Sequence, residues 1–423
     1  MAVLLASHAA PHMTGTVIAV DGVHRDLNHF PRHTSMAAIA AQFSREDENQ
    51  ILASVTTWLE KEVRPVTKKY EQADEYPFDL VEQMKELGLF GLTIPVEYGG
   101  MSLPSTTYAK IVTAIAEVFM SIGGILNSHL MLGTLIYRFG TQAQKEQFLP
   151  RLATGEMRGA LCLTEPDAGT DLQGIKTVAK RDGDHYVLNG SKMWITNGLY
   201  GSLYAVLTKT DPTTKPAHKG MTMFLAEKGP GFTVDRKLKK LGYRSVESVG
   251  LSFNDFRIPA DRVLGGEEGH GFQHAVGGLE LGRINVAARG VGLANAALKD
   301  SIRYAQQRKT FGKPICEHQA IQLKLGEMAT RVEAARLLTN QAAEKYERGE
   351  RCDLEAGMAK LFASETALYC SQEAMRIHGG YGYSAEYDIE RYYRDAPLMC
   401  IGEGTNEIQR ILIAKNLVKM YPA

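Results

Sequence analysis

Residues 181–196 read RDGDHYVLNGSKMWIT, and this stretch decides the fold class. The Asp-Gly pair at 182–183 and the Asn-Gly pair at 189–190 stand beside short apolar runs, and both dipeptides are typical of hairpin turns. We therefore predict a central antiparallel β domain over residues 157–268, built as a sandwich or a barrel. Further strand patterns follow at residues 204–209, 221–226, 232–235 and 250–253.

Helical patterns flank this β domain on both sides. Before it, apolar residues recur every three to four positions from a possible N-cap at Ser44 to a predicted helix end before Pro65. After it, long periodic segments suit an antiparallel bundle. We predict an α+β fold with an N-terminal α-helical domain (41–156), the central β domain and a C-terminal four-helix bundle (269–423). The other predicted helices cover residues 78–87, 105–120, 122–139 and 142–153, and then 271–307, 317–348, 353–378 and 404–420.

The first 40 residues differ in composition from the rest of the chain. They hold five of the 12 histidines and two prolines, with little periodicity. We expect residues 1–40 to be a disordered extension, or to lie upstream of a true start at Met36. A weak targeting peptide stays open as an alternative. No chemistry is expected in this segment.

Charge and cysteine content argue against several classes of function. Lys and Arg together number 48, as do Asp and Glu, so a net charge of zero gives no electrostatic reason to bind nucleic acid or an anionic membrane. No apolar run approaches the ~18 residues of a membrane span. The five cysteines are widely spaced without a C-x-x-C pair, which indicates a reducing compartment and no metal site. We expect a cytoplasmic location, or the mitochondrial matrix if the source is eukaryotic.

Two glycine-containing segments need a chemical interpretation. Residues 380–385, GYGYSA, satisfy G-x-G-x-x-[GA], but they follow a helical pattern and not a strand, so they do not indicate a dinucleotide-binding βαβ unit. Residues 162–174, CLTEPDAGTDLQG, offer N–H and O–H donors to a polar ligand. Thr164 and Thr170 would equally well bond the local backbone. Spacing alone favours this second interpretation, a capped loop.

Five motifs nevertheless occur together in the order and spacing of one family. From residue 40 to the C-terminus the chain resembles the FAD-dependent acyl-CoA dehydrogenases. The resemblance implies the same three-domain fold, a homotetramer built from dimer pairs, and FAD held between the β domain and the bundle and partly by a neighbouring subunit. The motifs are residues 162–174, Trp194-Ile195-Thr196, Arg308-Lys309-Thr310-Phe311-Gly312 with Glu317-His318-Gln319, His378-Gly379-Gly380-Tyr381-Gly382, and Glu403-Gly404-Thr405.

The resemblance also assigns residues to the FAD cofactor. Trp194 and Ile195 would pack near the flavin, and the Thr196 hydroxyl would contact flavin N5, the atom that accepts the hydride. Arg376 stands where the family usually has Gln, Asp or Glu, so its side-chain contact departs from the pattern. The other implied contacts are Leu161, Leu163, Thr164, Gly169 and Thr170 for the flavin ring and pyrophosphate, and Arg308, Phe311, His318, Gln319, Ile377, His378, Gly379, Gly380, Thr405 and Glu407 for the rest of the cofactor.

Glu403 would be the catalytic base by the same resemblance. Removing an α-proton from a thioester requires a carboxylate with a raised pKa, and donors must stabilise the developing enolate. By itself, a Glu before Gly-Thr is more typical of a charge at a helix start. Some family branches place the base on the residue before Arg283, but here that residue is Gly282. Substrate contacts are implied for Thr170, Glu280, Arg283 and Gly404.

Position 402 and its surroundings bear on the substrate. Many members have Tyr where this chain has Gly402, and the smaller residue is expected to reshape the pocket beside the base. A loose alignment places Asn127, Ser128 and His129 near the far end of the acyl pocket. Cys162, Cys400 and His129 are interpreted as packing residues.

The implied partners are an acyl-CoA substrate and electron-transfer flavoprotein as electron acceptor. Related activities stay open: an acyl-CoA oxidase, although such chains are usually longer; a nitroalkane oxidase-like enzyme, which uses Asp as base; and a decarboxylating glutaryl-type enzyme, which keeps Glu. A non-catalytic, DNA-associated relative is disfavoured because it depends on a basic surface.

Overall fold

The computed structural model describes residues 44–422, so the extension predicted over residues 1–40 lies outside the described residues. The first helix begins at the predicted N-cap. The Ser44 hydroxyl accepts the backbone N–H of Asp47 at 3.2 Å, and the Asp47 carboxylate accepts the backbone N–H of Ser44 at 2.9 Å. This reciprocal capping box satisfies two donors that a helix start otherwise leaves unpaired.

The prediction that this helix ends before Pro65 is wrong. Helix α1 (Arg45–Trp58) passes through a π-helical turn (Leu59–Val63) into α2 (Arg64–Ala73). Pro65 stands in the first turn of α2, directly after the π-helical turn, in which the backbone N–H of Arg64 reaches back to the carbonyl of Leu59. The proline therefore marks a junction between two helical segments and not the end of the helical region.

Helices α3 (Phe78–Glu86), α4 (Ser105–Phe139) and α5 (Gln142–Ala153) complete the N-terminal domain. The two helices predicted over 105–120 and 122–139 form the single helix α4, which is kinked at Phe119 (φ −148°, ψ 88°). By length and composition α4 could cross a membrane, but 78% of its most apolar window is buried inside the protein. Its apolar residues therefore serve the core.

The central domain is a seven-stranded sheet. Its strands are β1 (Gly159–Cys162), β2 (Val178–Asp182), β3 (His185–Thr196), β4 (Leu203–Lys209), β5 (Met221–Ala226), β6 (Phe232–Lys237) and β7 (Ser248–Pro259). They lie in the order β1-β4-β2-β3-β7-β6, with β5 paired to β4. The prediction of a purely antiparallel domain needs correction, because β1 runs parallel to β4, with Gly159 opposite Leu203. The β2–β3 hairpin lies between β1 and β4 in the sequence.

Only one of the two dipeptides that predicted hairpins forms a turn. The chain turns at Gly183 between β2 and β3. Asn189 and Gly190 instead lie inside β3, at a bulge in its pairing with β7. Gly190 has φ +144°, and a Cβ there would lie 2.6 Å from the Cα of Thr177, so glycine permits a close approach of two backbones.

The C-terminal domain is helical, as predicted. Its helices are α6 (Gly271–Gln307), α7 (Gln319–Glu347), α8 (Asp353–His378), α9 (Ile389–Ile401) and α10 (Asn406–Met420), with a small hairpin of β8 (Lys309–Thr310) and β9 (Lys313–Pro314) after α6. Helices α6, α7 and α8 pack against one another, α6 also packs on α4, and α10 packs on α8. The sequence patterns did not reveal the short helix α9, which contains Pro397. With these helices the predicted α+β architecture is confirmed.

A buried ion pair fixes the loop that follows β1. Lys192 on β3 is fully buried, and its Nζ donates to Glu165 Oε1 at 2.8 Å and to the carbonyl of Leu163 at 3.1 Å. The Glu165 carboxylate also accepts the backbone N–H groups of Lys176 and Thr177. Such a pair is costly to break, because the partner that remains is a buried charge without compensation.

We expect Lys192→Ala to destabilise the protein by about 3–5 kcal/mol, since it leaves the Glu165 charge buried without a counter-charge. Thermal and urea-induced unfolding would measure the loss. The matched control is Lys176→Ala, which removes an exposed ion pair with Asp167 from the same loop and should change stability little. Equal stability of the two variants would contradict the role assigned to the buried pair.

Candidate active site

A large cavity lies where the three domains meet. Its walls come from α4, the loop after β1, the end of β3, α6 and the junction between α9 and α10. Its volume is about 1800 Å³, which exceeds the roughly 300–1,000 Å³ usual for a single small ligand. The cavity therefore has room for a cofactor and a substrate together.

Glu403 lies in the α9–α10 junction with a left-handed backbone (φ +56°), and Gly404 follows at φ +85°. A left-handed glutamate is strained and persists only where its surroundings hold it. Here Gln409 Nε2 donates to the carbonyls of Glu403 and Gly404, both at 3.3 Å. Lys360 Nζ donates to the carbonyls of Gly404 at 2.9 Å and Cys400 at 3.2 Å. These bonds fix the direction in which Glu403 points.

The surroundings of the Glu403 carboxyl group raise its pKa above the ordinary value of 4.5. Burial is the main cause, because it disfavours the charged form. The positive charge of Arg289 opposes this rise, as do a hydrogen bond from Asn127 Nδ2 to Glu403 Oε1 at 3.3 Å and the charge of Arg283. The result is a carboxylate that binds a proton more readily than a solvent-exposed glutamate.

Gly282 lies directly against this carboxylate. A Cβ at position 282 would lie 2.8 Å from Glu403 Oε2 and 2.9 Å from the side chain of Met131. Positions 282 and 403 therefore compete for the same space. The Glu403 carboxylate fits here because position 282 is a glycine without a side chain.

Residues of the β domain form another wall of the cavity. Trp194 is 58% exposed and has a left-handed backbone (φ +65°), at an irregularity in the pairing of β3 with β7. An exposed indole on a cavity wall offers a flat apolar face to a planar ring. The predicted cofactor contacts that line this cavity are Leu161, Leu163, Thr164, Gly169, Thr170, Trp194, Ile195, Thr196 and Thr405.

Most of the remaining predicted FAD contacts line a second, smaller pocket of about 680 Å³. It is lined by Arg308, His318, Ile377, His378, Gly379 and Gly380. None of its lining residues belongs to the large cavity. The structure thus divides the predicted FAD contacts of one chain between two separate places. The literal G-x-G-x-x-[GA] segment begins here in a 3₁₀ helix (Gly379–Tyr383) that follows α8 and not a strand.

Four predicted cofactor contacts line neither pocket. Phe311 is 97% exposed, and Gln319 begins helix α7. Arg376 is directed at Glu373, with 2.5 Å between Nη1 and Oε1. Glu407 is exposed near Arg410. Among residues 44–422, Arg376 is thus held by Glu373 on its own helix, at the position that departs from the family pattern.

The predicted substrate contacts all line the large cavity: Thr170, Glu280, Arg283 and Gly404. Burial raises the pKa of Glu280, and Arg138 Nη1 lies 3.8 Å from its carboxylate. Among residues 44–422, no group of His, Cys, Asp and Glu side chains could hold a metal ion.

Sequence reasoning misplaced one residue here and missed two. Asn127 was expected near the far end of the pocket, but it hydrogen-bonds the Glu403 carboxylate. His129 is a buried packing residue that bonds the backbone of Phe90 and Gly159. Tyr243 and Arg289 line the cavity and were not anticipated. For Arg289 the signal was present, since a charged residue interrupts a helical stretch of small and apolar residues.

Comparison with known proteins agrees with this three-domain arrangement. Family profiles for the acyl-CoA dehydrogenase N-terminal, middle and C-terminal domains match residues 45–156, 160–256 and 269–418. The chain belongs to the acyl-CoA dehydrogenase family. It is therefore an oxidoreductase that acts on CH–CH groups, and its cofactor is FAD.

Individual relatives of this acyl-CoA dehydrogenase cover nearly its whole length. An acyl-CoA dehydrogenase of Bacillus subtilis is 41% identical over 86% of this chain and 96% of its own. The structure of butyryl-CoA dehydrogenase from Megasphaera elsdenii is 38% identical, with a TM-score of 0.86 over 89% of this chain and all of its own. A chain from a structure described as electron transferring flavoprotein of Acidaminococcus fermentans has the same identity and TM-score over 89% of this chain and 99% of its own.

The residues present fit FAD. The exposed indole of Trp194 and the hydroxyls of Thr164, Thr170 and Thr196 stand on one cavity. An apolar ring surface with nearby donors is what a flavin requires. The second pocket adds Arg308, whose planar donor fork suits phosphate oxygens.

We expect Gly282→Ala to slow flavin reduction by up to about 100-fold, because the new methyl group would displace the Glu403 carboxylate by about an ångström. The fold should survive, since the crowded atoms are the ends of flexible side chains. Stopped-flow flavin absorbance and thermal unfolding would measure both effects.

Gly326→Ala is the matched control, a mid-helix glycine of α7 with open space around its Cα. It should stabilise the protein by about 0.5–1 kcal/mol and leave the reduction rate unchanged. If Gly282→Ala reduced its flavin at the wild-type rate, the conclusion that positions 282 and 403 compete for the same space would be wrong.

Proposed function

We propose that the cavity binds an acyl-CoA thioester and that Glu403 removes a proton from the α-carbon, giving the trans-2-enoyl-CoA. The observation that carries this proposal is the Glu403 carboxyl group itself. It lines the cavity from a strained backbone position, with a raised pKa and a donor from Asn127. Strain and a shifted pKa at one cavity residue are typical of a functional group.

The chemistry requires two C–H bonds to break. The proton of the α-carbon goes to Glu403, the hydride of the β-carbon leaves to the oxidant, and the remaining electron pair forms the C=C bond. FAD, when bound, supplies the oxidising power by accepting that hydride. A pKa raised by burial lets Glu403 take a proton from carbon better than an ordinary glutamate would.

The backbone N–H of Glu403 can donate a hydrogen bond to the thioester oxygen. Within the described part of the chain, the N–H of Glu403 has no hydrogen-bond acceptor. A donor held in a fixed backbone conformation stabilises an enolate oxygen without reorganising during the reaction. Gln409 and Lys360 act as positioning residues here. Lys360 holds the carbonyls of Cys400, before this N–H, and Gly404, after it, and Gln409 holds the carbonyl of Glu403 itself.

We also propose that the electrons pass to an electron-transfer flavoprotein and that the enzyme is a homotetramer of dimer pairs. The likeness to a chain from a structure of such a flavoprotein supports the first part. The second pocket supports the other, since its predicted FAD contacts lie apart from the cavity of the same chain and would suit a neighbouring subunit's cofactor.

Glu403→Gln should retain FAD and bind acyl-CoA but reduce its flavin about 100- to 10,000-fold more slowly, because the amide cannot accept the proton. Stopped-flow absorbance with a panel of acyl-CoA thioesters would measure the rate. Glu333→Gln, an exposed change on α7, is the control and should match wild type. Near-normal reduction by Glu403→Gln would remove Glu403 as the base.

The pH profile tests the electrostatics of Glu403. The base works only when deprotonated, so kcat/KM should rise as the pH increases through the raised pKa. Asn127→Leu removes a donor that favours the charged carboxylate, which raises the pKa further and moves the acidic limb to higher pH. Ser128→Ala, also on the cavity wall, should not move it. A limb that stays in place in Asn127→Leu would contradict the assignment.

A further inference from the structure

Arg289 is a buried arginine on the wall of the cavity. Only 4% of its surface is exposed to solvent. Nη1 lies 3.9 Å from the thioether sulfur of Met120, a weak acceptor, and Nε has no partner. An ion pair requires a carboxylate oxygen within 4.0 Å of a guanidinium nitrogen, and no carboxylate among residues 44–422 comes that close to Arg289. The guanidinium is therefore a buried charge without a carboxylate partner among these residues, and its further polar neighbour, the Tyr243 hydroxyl, is neutral.

Charged partners surround two other arginines. The buried Arg391 reaches Asp388 at 3.3 Å and the carbonyl of Val118, and the part-buried Arg394 reaches Glu71 and Glu390. The buried Arg283, on the same cavity, has an unpartnered Nε as Arg289 does. Burial of a charge without such partners is expensive. Contact with the ring of Tyr243, with 5.9 Å from the guanidinium to the ring centroid, offsets only part of the cost. An anionic ligand in the cavity would supply the missing partner.

Helix α4 is adapted to accommodate this group. A Cβ at Gly124 would lie 1.3 Å from Tyr243 Oη, so only glycine admits the tyrosine there. The kink at Phe119 comes directly before Met120, the residue that contacts the guanidinium. The space around Arg289 and Tyr243 is thus built by specific residues of a neighbouring helix.

The position of Arg289 along α6 sets the length of the ligand. Gly282, seven residues earlier on the same face, touches the Glu403 carboxylate. Seven residues correspond to about 10 Å along a helix, and long side chains lean back toward the helix N-terminus, which shortens that gap. Among the neighbouring charges, that of Arg289 also opposes the rise in the Glu403 pKa most. A short acyl chain spans this separation.

We propose that Arg289 binds the distal carboxylate of a short dicarboxylyl-CoA substrate, an acyl group of about four or five carbons that ends in a second carboxylate. A planar guanidinium binds a carboxylate through two parallel hydrogen bonds. This proposal rests on the dehydrogenation proposed for Glu403. The α-proton still goes to Glu403 and the β-hydride to FAD, the C=C bond forms, and the distal carboxylate remains unchanged.

The test compares thioesters matched in carbon number: succinyl-CoA with butyryl-CoA, and glutaryl-CoA with pentanoyl-CoA. The enzyme should have the higher kcat/KM for the dicarboxylyl member of each pair. Arg289→Met should lower that preference by about 10- to 150-fold, the value of a hydrogen-bonded charged group. Any effect transmitted through the Glu403 pKa changes both members equally and cancels from the ratio.

Binding gives a second readout that does not require turnover. In the Glu403→Gln holoenzyme, calorimetric titration should show tighter binding of glutaryl-CoA than of pentanoyl-CoA, and the added Arg289→Met change should abolish the difference. Arg289→Lys keeps the buried charge but not the planar fork, so it should retain part of the preference and serves if the methionine variant unfolds. Arg303→Gln, an exposed change on the same helix, should leave the ratio at the wild-type value.

Two results would overturn the inference and leave the dehydrogenation intact. One is an equal loss of kcat/KM for both thioesters of a pair in Arg289→Met. The other is a wild-type enzyme that prefers the thioester without the distal carboxylate. A wild-type enzyme whose flavin is reduced by no acyl-CoA of either kind would overturn the proposed function, and this inference with it.

Discussion

The active site depends on one buried ammonium group. Lys360 extends from α8 and donates to the carbonyls of Cys400 and Gly404 and to Asn406 Oδ1 at 2.8 Å, so each of its three donors is used. Burial lowers the pKa of Lys360 to about 8. These acceptors lie on both sides of Glu403. One lysine therefore ties the end of α9 and the start of α10 to the bundle and holds the glutamate between them in a strained conformation.

Much of the fold was predictable because its signals are local. Helical periodicity and the Ser44 cap lie within single segments of the chain, and they predicted the order of domains correctly. The parallel pairing of β1 with β4 was not predictable in the same way, because no turn joins these strands. Asn189-Gly190 misled for another reason: the same dipeptide suits a hairpin turn and a bulge that lets two backbones approach.

The residues of the candidate site were likewise predictable only in part. Motifs around Thr164, Trp194 and Glu403 identified residues that the structure brings to one cavity. The contact between Asn127 and Glu403 joins residues 276 positions apart, and no spacing rule links them. Arg289 was missed because an arginine in an apolar helix is more often explained by a partner than by a ligand. Only the tertiary structure shows that this partner is lacking within the described chain.

The shared space of Gly282 and Glu403 has a consequence for how such enzymes diverge. A carboxylate at either position would approach the same region, but the two side chains cannot stand there together without displacement. A lineage that moved its base between α6 and the α9–α10 junction would have to change both residues. The intermediate sequence would carry either a crowded pair or no base at all. Neither intermediate favours gradual exchange, so the location of the base should be a stable mark of ancestry.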